Sequence, residues 1–155
     1  MAKYISVNEL DTFHFHDAIL DRLSFEGNDM VWHVRYLGVV MANTQNRHLT
    51  DMTIKEAKVM LHDIEFTPFY HPNTGILPAT TPEELFRLFL DAGQTVFSYF
   101  FSAPSDEQGR QCGNVEWMLY ESSIIDFLFD FSVRFSRLTV EWDEFDGPAY
   151  WVRPS

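Results

Sequence analysis

A single cysteine, Cys112, stands in 155 residues, so no disulfide can form within the chain. It lies in the polar stretch 108–113 near Arg110, with no motif that marks a nucleophile, and reads as an incidental thiol. Basic residues are scarce: 11 Lys and Arg stand against 23 Asp and Glu, a net charge of −12. They are scattered from Lys3 to Arg153 and form no run. Sequence-independent nucleic-acid binding draws its affinity from Lys and Arg that neutralise phosphates, so this balance argues against such partners. It argues equally against an anionic membrane surface. No apolar run approaches the roughly 20 residues of a membrane-spanning helix. Residues 1–10 lack the apolar stretch of a signal peptide, so the expected location is cytoplasmic. There is no phosphate-cradling glycine loop, dinucleotide fingerprint, HExxH or GxSxG elbow. Nucleotide-dependent and serine-hydrolase chemistry therefore have no motif to stand on.

Aromatics are abundant: 15 Phe, 6 Tyr and 4 Trp. With 46% hydrophobic residues, they exclude a disordered acidic tail. The length suits one domain over residues 1–155, with roughly 70% of the extended chain's surface buried on folding. No repeat or Pro/Gly/Ser-rich linker divides it.

Alternation of apolar and polar residues predicts strands over most of the chain. Residues 18–25 and 30–36 flank the turn-forming Glu26-Gly27-Asn28-Asp29 and read as a hairpin. Pairing Phe25 with Met30 sets Leu23 opposite Trp32, Ile19 opposite Tyr36 and Arg22 opposite His33. Further strands are expected near 37–42, over 53–66, over 95–101 and around 115–120. Residues 122–131 permit helix or strand; Phe is no strong helix former, which favours strand. Phe131, Val133 and Phe135 occupy odd positions, whereas Leu138, Val140 and Trp142 occupy even ones. A one-residue slip inverts the buried face, so Ser136-Arg137 must hold a bulge or a turn.

One helix is expected over about residues 82–92. Thr81-Pro82-Glu83-Glu84 has capping-box spacing, Gly93 suits the C-terminal stop, and the residues between are mostly apolar. The expected class is therefore α+β: a curled antiparallel sheet or open β-barrel with one packed helix.

Two constellations carry chemistry. His14 and His16 share a face if Phe13–Asp17 is a strand, and imidazoles two apart can share a divalent metal, with Asp17, Asp21 or Glu26 adding a carboxylate. An HxH strand also opens cupin barrels, but the flanking glycines and the second histidine motif are absent. The alternative is an edge strand with polar tips. The second constellation is Glu141, Asp143, Glu144 and Asp146, interleaved and followed by Phe145, Tyr150 and Trp151. The acids lack the full series of a calcium loop and read equally as a solvated turn. Tyr and Trp beside them suit a protein interface, or the closing of one end of the core.

Phe15-His16-Asp17 and Trp142-Asp143-Glu144-Phe145-Asp146-Gly147-Pro148-Ala149-Tyr150 resemble segments of uncharacterised small bacterial proteins. Some of those look like immunity proteins of toxin systems, which implies toxin binding rather than catalysis.

The leading expectation is a non-catalytic acidic domain that binds a basic protein through Glu141, Asp143, Glu144, Phe145, Asp146, Tyr150 and Trp151, with no cofactor. Complementary fields would speed that encounter. The rivals are a metal-dependent β-barrel enzyme with His14 and His16 as ligands, and a small-ligand or carbohydrate-binding β-domain with Trp32, Trp117 or Tyr120 in a pocket.

Overall fold

The computed structural model describes residues 2–66, 70, 71, 75, 76, 94–121 and 124–152. Its strands are β1 (Tyr4–Val7), β2 (Phe13–His14), β3 (Ile19–Glu26), β4 (Asp29–Val39), β5 (Met52–His62), β6 (Glu65–Phe66) and β7 (Tyr70–His71). Then follow β8 (Gly75–Ile76), β9 (Gln94–Ala103), β10 (Gln111–Glu121), β11 (Ile124–Phe135), β12 (Arg137–Trp142) and β13 (Phe145–Pro148). They form one antiparallel sheet with the main order β1-β12-β5-β4-β3-β9-β10-β11-β7-β8. Around it, β13 flanks β5, β2 flanks β4 and β6 flanks β11.

This corrects the α+β expectation. The described residues are nearly all antiparallel sheet, with no helix of seven or more residues among them. Their one helical segment is the 3₁₀ turn Leu10–Thr12. The helix expected over 82–92, with its caps, lies outside the described residues. The physical reason is that the sheet covers itself. Its curl brings β6 against β11 while β5 pairs with β12. The register is continuous across the two, from Trp142 opposite Ala57 to Val133 opposite Phe66. Pairings therefore run from β3 through β4 and β5 to the bent strand β11–β12, and back through β10 and β9 to β3. A sheet curled this far buries its apolar face against its own far side.

The enclosed core is aromatic. Phe15, Trp32, Phe97, Phe100, Trp117 and Phe131 meet edge to face or tilted, with ring centres 4.9–6.3 Å apart. A second group, Tyr4, Phe13, Trp142 and Phe145, fills the other end. A buried polar network ties the loop after β4 to β1. Asn43 Nδ2 donates to Ser6 Oγ (3.1 Å) and Thr12 Oγ1 (2.8 Å), and Ser6 Oγ donates to Glu9.

Ser136 separates β11 from β12, and burial changes there from Phe131, Val133 and Phe135 to Leu138, Val140 and Trp142. The bulge or turn expected from the sequence is a bend at Ser136, the joint at which the curled sheet passes from one neighbour set to the next. Deleting Ser136 should turn Leu138, Val140 and Trp142 outward and abolish cooperative urea unfolding. Ser136→Ala keeps the residue count, loses the 2.8 Å bond to Asp63 and should cost only about 1 kcal/mol. A deletion variant that unfolds like the parent would refute this role for the joint.

Candidate functional site

Strict alternation is broken along a line that crosses adjacent strands. In β3, burial passes from Leu20 to the half-buried Leu23 across exposed Asp21-Arg22. In β4 it passes from Val34 to Leu37 across Arg35-Tyr36, and in β5 from Ile54 to Ala57 across Lys55-Glu56. Between β12 and β13 it passes from Trp142 to Phe145 across Asp143-Glu144. Each strand thus turns two successive residues outward, and the positions match because Arg35 pairs with Glu56. The β3 step is a register shift at Asp21, and Tyr36 adopts φ 62°, an uncommon conformation for a bulky residue. At this crease β2 replaces β3 beside β4, and β13 replaces β12 beside β5.

Residues forced outward in pairs must tolerate water, and all but Tyr36 are charged. Arg35 Nε donates to Asp21 Oδ2 at 2.7 Å, and Lys55 Nζ lies 3.7 Å from Glu144. Beside the crease is an outward groove of about 550 Å³, lined among others by Asp21, Arg22, His33, Glu56, Lys58, Glu141 and Asp143. Cross-strand register aligns Arg22, His33, Lys58 and Glu141 in one row. Among the described residues, Glu56, Lys58, Glu141 and Asp143 have no ion-pair partner. Asp143 instead accepts the Lys3 backbone N–H at 2.9 Å.

Arg22 Nη2 lies 2.9 Å from His33 Nε2. A guanidinium only donates, so the imidazole accepts there and is neutral. Burial, and then the charges of Arg22 and Lys58, hold His33 below the ordinary imidazole value, against the opposing pull of Glu26 and Asp21.

The C-terminal residues expected to contact a partner separate into different roles. Glu141 and Asp143 line the groove. Glu144 pairs with Lys55. Phe145 turns inward against Tyr4 and Trp142, with the His48 ring 4.8 Å away. Trp151 donates Nε1–H to Asp51 at 2.7 Å, packs on His14 with ring centres 4.8 Å apart, and lies over Gly38. Asp146 and Tyr150 remain exposed, Tyr150 at 72%.

His14 and His16 take different neighbours. β2 ends at His14, and the turn through Asp17 (φ 67°) carries His16 to the Ser98 carbonyl at 3.0 Å and to Asp17 at 3.4 Å. Among the described residues no group of three or more His, Cys, Asp or Glu converges as a metal site would require. Trp32 and Trp117 are fully buried, so neither lines an open pocket. Cys112 is half-buried, with Sγ 3.7 Å from the Arg110 carbonyl. No described helix is long and apolar enough to cross a membrane.

Comparison of the chain with protein-family models, curated proteins and solved structures finds no match. The groove residues Glu56 and Lys58 were not legible as a site. Their signal is a pair of adjacent charged residues between two apolar phases, which becomes informative only when neighbouring strands show it in register.

Two predictions follow from this geometry. Between its ordinary and its lowered pKa, His33 is protonated in the unfolded chain but not in the folded one. Its contribution to stability is therefore fully present above about pH 6.5 and lost as pH falls through the folded value. The stability gap between the parent and His33→Gln should shrink as pH is lowered from about 7 to about 5, read by urea midpoints; a constant gap would count against it. In Gly38→Ala, the new Cβ would lie 2.5 Å from Trp151 Cη2 and 3.1 Å from His14 Cβ. Displacing the indole should cost about 1–3 kcal/mol, and adding Trp151→Ala should cost little more. Full additivity of the two losses would place the strain elsewhere.

Proposed function

We propose that this chain is a non-catalytic protein-binding domain whose partner is basic. The observation that carries the reading is the creased groove, where Asp21, Glu56, Glu141 and Asp143 outnumber Arg22 and Lys58 and, among the described residues, Glu56, Glu141 and Asp143 form no ion pair. Carboxylates left solvated in a groove attract Lys and Arg of a partner at long range and fix its orientation at contact. Tyr150, exposed beyond the clamped Trp151, offers an aromatic anchor of the kind that dominates interface energies. A toxin-neutralising role is one form of this reading, drawn from the resemblance of the Phe-His-Asp and Trp-Asp-Glu-Phe segments.

The test is capture from the source cell's extract on the immobilised protein, with the retained protein identified by mass. One basic protein should be retained, released by salt, and lost by at least tenfold with Glu56→Gln/Glu141→Gln/Asp143→Asn and with Tyr150→Ala. Retention unaffected by either set of substitutions would sink the surface assignment.

A further inference from the structure

We propose that β1 is an open docking edge and that the basic partner binds by adding an extended segment to it as a further strand. The proposal rests on the protein-binding reading above and names its mode.

Among the described residues β1 pairs with β12 alone. The Asn8 N–H donates to the Leu138 carbonyl at 2.8 Å, in register with the β1–β12 ladder, which puts Asn8 at a position that bonds toward β12. Such positions alternate, so Tyr4 and Ser6 also bond toward β12. Ile5 and Val7 then direct their N–H and C=O groups to the opposite side. Among the described residues no strand lies there and no other group bonds to them. Their side chains are 41% and 47% exposed, whereas Ser6 between them is buried. An incoming strand would thus find two pairs of backbone groups and two β-branched side chains on which to pack, the arrangement that strand addition uses.

The charge around the edge selects the occupant. Ile5 stands directly across from Glu141, which among the described residues forms no ion pair although Lys58 is its register neighbour on β5. Neighbouring strands lie about 4.8 Å apart, so a Lys or Arg on an added strand would reach over Ile5 toward Glu141 and Asp143. A second copy of this chain is disfavoured, because each brings a net charge of −12 to the same face.

The test uses an alternating lysine–valine octapeptide as probe and a glutamate–valine octapeptide as control. The cationic peptide should bind the intact protein, slow amide hydrogen exchange at Ile5 and Val7, and lose affinity as salt is raised. The anionic peptide should not bind. Ile5→Pro and Val7→Pro each remove an N–H that faces the open side, a substitution that edge strands tolerate. Each should weaken peptide binding at least tenfold with little change in the urea midpoint, and Glu141→Gln should weaken it several-fold. If one proline variant fails to fold, the other variant and the exchange of the intact protein still decide. Equal binding by the proline variants, protection elsewhere than β1, or no binding of the cationic peptide would overturn the docking edge. Dimerisation of the protein without peptide, abolished by Ile5→Pro, would overturn it in favour of self-pairing. In each of these cases the capture experiment above still judges protein binding by itself.

Discussion

The structure depends on one constraint: a strand's side chains alternate, so a sheet that changes curvature must change phase in several neighbouring strands at the same level. A lone extra residue would bury one strand's apolar face while turning out that of the next. Here β3, β4, β5 and the β12–β13 junction make the step side by side. The crease lets one sheet enclose two aromatic groups, one around Trp32, Phe97 and Trp117, the other around Trp142 and Phe145. The cost is a line of positions where two residues in succession face water. Charged side chains at those positions follow from the fold, and the charged groove beside the crease follows with them.

A polar network forms where β1 stops, opposite Thr139 and Leu138. Where β1 stops, backbone groups turn away from the ladder, and a closed apolar wall would leave them unpaired at a cost of about 1–3 kcal/mol each. Asn8, at φ 56°, accepts from the Leu138 N–H and from Gln111 through its side-chain oxygen. Asn is among the few residues at ease in that conformation. Glu9 takes bonds from Ser6 and from both donors of Thr44. Burial pushes its carboxyl upward, but those bonds together outweigh burial and hold it below the usual range.

Much of this was legible wherever apolar alternation was strong on both sides of a feature. The pairings Phe25–Met30, Leu23–Trp32 and Arg22–His33 follow from the turn and are observed. The pairing Ile19–Tyr36 is not: Asp21 is an extra residue, so Ile19 meets Arg35. The slip at Ser136 could be read because Phe, Val, Leu and Trp mark both phases. The step in β4 could not, because Tyr36 passes for a core aromatic until its backbone turns it out. Likewise 30–36 and 37–42 read as two strands, whereas one strand runs from Asp29 to Val39. Strand parity put His14 and His16 on one face, and both are exposed, alternating with buried Phe13 and Phe15, yet β2 ends at His14 and the two rings take different neighbours. Trp151 gave no local signal of its clamp, which needs Gly38 and Asp51 from elsewhere in the chain. The expected α+β class came from the capping-box spacing at residues 81–84 and the apolar run up to Gly93, whereas the described residues are nearly all antiparallel sheet whose far side supplies the cover.

An open strand edge on so aromatic a chain is an aggregation hazard, and its control bears on its use. β1 is only four residues long, with Lys3 before it and the left-handed Asn8 ending it. Four of the cations are committed within the fold: Arg35 to Asp21, Lys55 to Glu144, Arg110 to Glu65 and Arg134 to Asp106. Among the described residues Glu56, Glu141 and Asp146 form no ion pair, and with a net charge of −12 on each copy a second copy would approach like against like. For an extended segment rich in Lys and Arg the sign reverses, and the repulsion that guards the edge becomes attraction. Under the proposed docking mode, the surplus of acid would disfavour self-pairing at β1 and, by the same Coulomb term, favour a basic strand there.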